Sequence, residues 1–568
     1  MRSAAELTLS GKPAFYGTYL LIIAGLGGLL YGADIGIIAA ALLYLGKTIE
    51  LTLEQTSLIV AAVLGGSMIS SLVAGGLADW LGRRGMMILS GLMFVVSVGM
   101  IISSQGFVSL FAGRLLQGMS GGVIAVVVPL YLAECLSANS RGRGTAIFQF
   151  ALTFGIAAAA FVGWFYTRQA DTAMSMAAGN PILIRAAENH AWRAMFLAVI
   201  YPGALFFAGT FPLSETPRWL ARKGRIAEAR KALERSVSAA EAEREIAEMQ
   251  ALLHPSQESN TLKDSLLQRK YVIPFLLACI VLSCNQTTGI NSILSFLVVI
   301  LRQAGMTARH ATQADVFVKL LNCAMTLVAV FLVDRKGRRF LLRIGTAGVV
   351  VALVCGGFLF LRAERTRGDV RDKVVEAETG NTVRLPVNPT RFGSAIPGRV
   401  MALTVVYSYG DGEHVATVLS DSQDPVLEIA PGVKDRNAPL TIRRALYGPV
   451  PSVQMGWLVA GCLGLFIMAY AVGPGVVVWL MLSELMPTRI RSTGMGIALL
   501  LNQGISTLIA GVFLPVVGNY GYAAMFFSWA ACTLVYFATA TWWLPETKGK
   551  SLEEIELFFD RSGGEETA

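Results

Sequence analysis

Asp34 is a carboxylate in the middle of an apolar run: Gly27-Gly28-Leu29-Leu30-Tyr31-Gly32-Ala33 precede it, and no other charge lies near it in sequence. A charge at bilayer depth is costly and generally faces a bundle interior or a water-filled route. The chemistry open to it is reversible proton binding, tuned by burial and by a cationic neighbour. Arg114, inside another apolar run, is the candidate neighbour; a static buried ion pair is the alternative. A second set consists of amides in apolar stretches: Gln149, Asn285, Gln286, Asn291, Asn322 and Asn502. An amide both donates and accepts, so a ring of them suits a neutral polyol better than an ion. Taken singly, each could be plain glue between helices. Gln286 and Asn291 share one helix side only if the chain is irregular near Gly289. Trp479 can lay an apolar face under a polyol ring while its indole N–H reaches an oxygen.

A third set is charged and repeated. Asp79-Trp80-Leu81-Gly82-Arg83-Arg84 and Asp334-Arg335-Lys336-Gly337-Arg338-Arg339 are one turn written twice, each between long apolar stretches. Such repetition indicates an internally duplicated membrane protein. Glu134 and Arg141 in the first half, and Glu484 and Arg491 in the second, are placed to join them in clustered ion pairs. Exposed pairs are individually weak. As a cytoplasmic gate network formed only when that side is shut, they would bias a two-state equilibrium. Orientation signalling by arginine is the simpler role.

The elements that must position these residues are membrane spans. Of the 568 residues, 54% are hydrophobic and only 15% charged, against about 25% charged in ordinary soluble chains. Apolar runs long enough to cross a bilayer recur at roughly 18–45, 55–78, 86–104, 109–136, 143–166 and 192–212, then 271–303, 313–333, 340–361, 455–486, 491–517 and 522–544. They divide the chain into a first six-helix half (1–212), a polar linker (213–270), helices 7–9 (271–361), an insertion (362–452), helices 10–12 (453–544) and a tail (545–568). The 58 glycines suit close helix packing, for example at Gly65-Gly66-Ser67 and Gly118-Met119-Ser120-Gly121-Gly122.

The basic turns all fall on one side, which the positive-inside rule assigns to the cytoplasm together with both termini. No signal-peptide cleavage pattern is evident. The net charge of +9 sits mainly in these connections and does not suggest a nucleic-acid surface. The seven cysteines lie in apolar segments, without disulfide or metal spacing. The linker reads as two or three amphipathic helices. The insertion must lie outside the cytoplasm; 401–409 and 413–419 read as two strands about a Gly-Asp-Gly turn, so a small β-rich cap is expected.

The ordered motifs Gly76–Arg84, Gly113-Arg114-Leu115-Leu116-Gln117-Gly118, Tyr131–Glu134 with Arg141-Gly142, Ser214–Leu220, Gln286–Asn291, Asp334–Arg339, Gly473–Trp479, Ser483–Pro487 and Pro545–Gly549 resemble the sugar porter family of the major facilitator superfamily. The resemblance covers the whole chain except the insertion. It implies an all-α fold of twelve transmembrane helices in two six-helix halves, with the substrate between them near the bilayer midplane. It also implies sugar contacts at Gln149, Gln286, Asn291, Trp479 and Asn502, and proton coupling at Asp34 partnered by Arg114. Facilitative members carry a neutral residue at the Asp34 position. The chain departs from the family at Asn285, where a Gln-Gln pair is usual, at Ser295-Phe296, where tyrosines pair, and at Ser214 and Gln503.

The expectation is therefore proton–monosaccharide symport by a monomeric, multi-pass protein of the plasma (inner) membrane, with no enzyme chemistry, no metal and no cofactor beyond protons. A facilitative sugar uniporter and a proton-coupled transporter of an inositol-like polyol are the alternatives, and a transporter-like sugar sensor the remote one. The partners expected are the sugar and the lipid bilayer. The roles open to the insertion are to shield the outer mouth, to bind an extracytoplasmic partner, or to feed in substrate.

Overall fold

A chain crossing a bilayer must satisfy its backbone hydrogen bonds within itself, so each apolar run becomes a helix. The computed structural model describes residues 11–136, 138–236, 239–253, 269–393, 399–410, 412–420, 425–431, 438–486, 490–548 and 559. Twelve spans in it are long and apolar enough to cross a membrane. The first six are α1 (Gly11–Thr48), α2 (Leu53–Leu81), α3 (Arg83–Ser103), α4 (Phe107–Cys135), α5 (Ala138–Met176), and α6 (Pro181–Ala198) continued by α7 (Ile200–Thr210). The linker forms three short helices, α8 (Pro217–Arg222), α9 (Ile226–Leu233) and α10 (Ala239–Leu253), which bury Leu220, Ala229, Leu233 and Ile246 against one another.

The second set opens with α11 (Arg269–Thr287) and α12 (Ile290–Gln303), then α13 (Ala308–Lys336) and α14 (Arg338–Arg365). After an inserted module come α17 (Val453–Val472) with α18 (Pro474–Leu485), α19 (Arg491–Tyr520) and α20 (Tyr522–Trp542). Some helices outlast the apolar runs. The fifth span reaches Met176 and the sixth starts at Pro181 rather than near 192. Its start is set by Asn180, whose side chain accepts from the N–H groups of Ile182 and Leu183, with Pro181 in the first turn.

The module holds α15 (Arg371–Val375), α16 (Pro389–Phe392) and seven strands: β1 (Gly368–Asp369), β2 (Glu378–Thr379), β3 (Thr382–Pro386), β4 (Met401–Ser408), β5 (Glu413–Leu419), β6 (Val426–Ile429) and β7 (Thr441–Pro449). They make an antiparallel sheet of order β1-β7-β4-β5 and a smaller one of order β2-β3-β6. The expected hairpin is β4–β5, paired from Ala402–Leu419 to Ser408–Glu413. Leu403, Val405, Leu427 and Ile442 lie in the core of the module.

Small residues set how closely the spans pack. A Cβ on Gly28, Gly32 or Gly36 of α1 would strike the carbonyl oxygens of Phe148, Leu152 and Ile156 on α5. Gly66 meets Leu115 of α4, and Gly118 and Gly122 meet Val63 and Ser67 of α2, so the two glycine-rich stretches face each other. The halves join where α1 packs on α12, α5 on α13 and α2 on α19.

Helices α2 and α19 run antiparallel in a steady register. Gly518 approaches Leu53, Gly511 approaches Ala61, Gly65 approaches Thr507 and Gly504 approaches Met68. Carried on toward the basic turns, the same register would set Gly76 against Gly496. A Cβ at either of these positions meets nothing within 4 Å. The halves therefore touch on the side of the module and diverge on the side of the basic turns.

Candidate functional site

Asp34 on α1 and Arg114 on α4 are both buried, and the guanidinium Nη1 lies 3.0 Å from the carboxylate Oδ1. Arg114 also donates to Gln117 at 2.7 Å and stacks 5.4 Å from the Phe196 ring centre. The second oxygen, Oδ2, has no hydrogen-bond partner among the described residues. One carboxylate oxygen is thus held and the other left open to a proton.

The amide set divides. Gly289, in the left-handed region at φ +83°, ends α11 and starts α12, and a Cβ there would enter the Trp529 ring. The break brings Gln286 and Asn291 together despite their five-residue spacing: Asn291 Nδ2 donates to Gln286 Oε1 at 2.9 Å. Gln286 Nε2 donates to Asn502 Oδ1 at 3.0 Å, and Asn291 also donates to Ser506 at 2.7 Å. Helices 7 and 11 thus carry one connected amide cluster. Gln149 is half-buried on α5 and Trp479 is 44% exposed on α18; both stand apart from it. The tenth span breaks at Gly473, between α17 and α18, where Gly345 packs closely against the chain.

The charged turns fold twice in one geometry. Gly82 and Gly337 adopt φ +85° and +90°, a conformation that favours glycine. In the first half Arg83 bonds Asp79 at 2.8 Å and Glu134 at 3.1 Å, while the Thr216 hydroxyl donates to Glu134 at 2.5 Å. In the second, Arg338 bonds Glu484 at 3.1 Å, and the Thr547 hydroxyl donates to Glu484 at 2.5 Å. Glu215 accepts from the backbone N–H groups of Arg83 and Arg84 at the start of α3. Glu546 does the same for Arg338 and Arg339 at the start of α14. A carboxylate at a helix N-terminus complements its dipole.

The guanidinium of Arg84 donates to the Phe211 carbonyl, and that of Arg339 to the Thr541 carbonyl. Each network therefore closes within its own half, holding the helices of that half together. The side chains of Arg141, Asp334 and Arg491 lie outside the described residues.

Sequence reasoning passed over three features. Glu215 and Glu546, with Thr216 and Thr547, complete the two networks; the matching Glu-Thr pairs after spans 6 and 12 were the available signal. Ser506, one helical turn beyond Asn502, joins the amide cluster. Asp315 and Lys319 form a buried pair in span 8, signalled by opposite charges four apart within an apolar run.

Residues 20–373 and 443–559 match the family model for sugar (and other) transporters. The chain belongs to that family. The unmatched stretch, 374–442, is most of the module. Among curated relatives, the glucose transporter GlcP of Staphylococcus epidermidis is 26% identical over 95% of this chain and 96% of its own. The galactose-proton symporter of Escherichia coli K12 is 26% identical over 95% and 93%. The human proton myo-inositol cotransporter is 27% identical over 96% and 82%. The inward-open xylose transporter XylE of E. coli shares the fold, with a TM-score of 0.66 at 20% identity, covering 96% of this chain and 100% of that one. The protein is thus a multi-pass sugar porter of the major facilitator superfamily, with twelve membrane helices and an inserted β module.

Proposed function

We propose that this porter moves a monosaccharide into the cytoplasm together with a proton, by alternating exposure of one central site. The observation that carries the reading is the buried Asp34–Arg114 pair, with one carboxylate oxygen held and the other unpartnered. Asp34 takes up a proton when the side bearing the module is open, and Arg114 stabilises the ionised form left after release. The sugar binds at the Gln286, Asn291 and Asn502 cluster, whose amides exchange bonds with one another for bonds to hydroxyls. Gln149 and Trp479 close on it from other spans as the halves rock. The positive-inside rule puts the basic turns in the cytoplasm and the module outside, in a plasma (inner) membrane. A single chain contains both halves and acts as a monomer.

The second reading is a cyclic polyol as substrate, which the human myo-inositol cotransporter among the relatives favours. Reconstitution into liposomes with labelled D-glucose, D-galactose, D-xylose and myo-inositol, with and without an imposed pH gradient, tests both. The expected result is accumulation driven by an inward proton gradient and abolished in Asp34→Asn. Equal uptake by both proteins, indifferent to the gradient, would leave a facilitative uniporter.

A further inference from the structure

Asp315 and Lys319 of α13 are buried charges that the proton and sugar sites do not use. Lys319 Nζ donates to Asp315 Oδ2 at 2.8 Å, one turn away on the same helix. It also reaches across to the other half and donates to the backbone carbonyl of Gly36 at 3.1 Å. Gly36 lies two residues beyond Asp34 on α1. It is fixed in the first half, because its Cα face sits directly on Ile156 and Ala159 of α5. The lysine thus links the second half to the helix that carries the coupling carboxylate.

A lysine at this depth is costly unless its charge is matched. Asp315 alone supplies the matching charge, so the bond to Gly36 is an addition that can be lost without leaving a bare ammonium. The bond lies among the contacts that join the halves on the module side, where α1, α5 and α13 meet. Opening that side moves α13 away from α1 and breaks it, while Asp315 keeps the ammonium on its own helix.

We propose that Asp315 and Lys319 form a detachable tie between the halves. The tie is made when the module side is shut and broken when it opens, and Lys319 acts as a positioning residue for the Asp34 helix. The proposal rests on the alternating-access reading above. Losing one charge-assisted hydrogen bond from the shut state shifts the balance toward the open state by about 10- to 100-fold.

The test uses the full chain in lipid nanodiscs, with spin labels replacing the exposed Glu50 and Tyr520 at the module-side ends of the two halves. Pulsed electron-resonance distances report the populations. Lys319→Met leaves Asp315 unmatched and can fail to fold. The charge-free double variant Asp315→Leu/Lys319→Met removes the tie without stranding a charge, a replacement that buried ion pairs often tolerate. The expected result is growth of the long-distance population in the double variant, with tighter sugar binding from the module side. An unchanged distance distribution in a double variant with wild-type thermal stability would overturn the proposal. The distances need no proton gradient and no transported sugar, so they stand apart from the outcome of the symport test.

Discussion

Glu413 and Asn519 fasten the inserted module to the second half: Asn519 Nδ2 donates to both oxygens of the Glu413 carboxylate, at 3.2 and 2.9 Å. The Glu413 backbone N–H points the other way and donates to Glu54 Oε2 of α2 at 3.0 Å. Arg444 adds bonds to the carbonyls of Gly518 and Asn519. One residue of the β4–β5 hairpin therefore spans the joint between α2 and α19, whose ends must part when that side opens.

Cutting this link should speed opening. Glu413→Ala removes the Asn519 contact and leaves the backbone bond to Glu54. These groups are exposed, so the effect is modest, about 0.5–1 kcal/mol or a few-fold in the opening equilibrium. Initial uptake rates in liposomes and module-side labelling should both rise. Unchanged values would make the module a passive cover.

The amide cluster should set affinity. Gln286→Ala deletes the acceptor for Asn291 and the donor to Asn502 at once, leaving both amides short of a partner. Such losses cost about 1–3 kcal/mol, which is roughly 10- to 100-fold in apparent affinity. Asn502→Ala should do less, because Asn291 keeps both Gln286 and Ser506. Trp479→Phe should weaken binding least, since it keeps the apolar face and loses only the indole N–H. Equilibrium binding of the sugar that the liposome panel identifies gives the ranking.

The twelve spans were legible because a bilayer demands twenty-residue apolar helices. The β4–β5 hairpin was legible because β-branched and aromatic residues flank a glycine turn. The meeting of Gln286 with Asn291 was legible only conditionally, since it depends on the left-handed break at Gly289. What the chain did not disclose is which charges pair across its duplication. The basic turns read as a lock between halves, yet Arg83 and Arg338 each bond within their own half. Asp315 and Lys319 were visible as charges in an apolar run, but their reach to Gly36 depends on how the halves pack.

Glu215 offers a pH test on the side of the basic turns. Burial pushes its carboxyl above the ordinary 4.5, ahead of the backbone N–H donors of Thr216, Arg84 and Arg83 and the charge of Arg83, which pull it down. A carboxyl raised in the folded state binds its proton more tightly than in the unfolded chain. Its contribution to stability is full below about pH 4.5 and is lost as pH rises through the folded value. Glu215→Gln cannot titrate. The wild type should therefore lose thermal stability relative to this variant as pH rises from about 4 to 7, measured by fluorimetry in detergent. A gain over that range would mean that the N–H donors outweigh burial.

Gly76 and Gly496 should meet when the basic side shuts. The register that sets Gly511 on Ala61 and Gly504 on Met68 would bring them opposite each other one step further on, where each now faces open space. Rocking the halves to open the module side must close α2 on α19 at that end. Disulfides need Cα atoms about 4.4–6.8 Å apart, a distance that only the closed arrangement supplies. In a background with the seven native cysteines replaced, Gly76→Cys/Gly496→Cys should cross-link slowly at rest and faster when sugar and protons are supplied from the module side. The cross-linked protein should bind sugar from that side and transport none, and reduction should restore uptake. Fast cross-linking at rest would mean that the basic side shuts often without substrate. Absence of cross-linking under every condition would mean that the halves close along a different pair of helices.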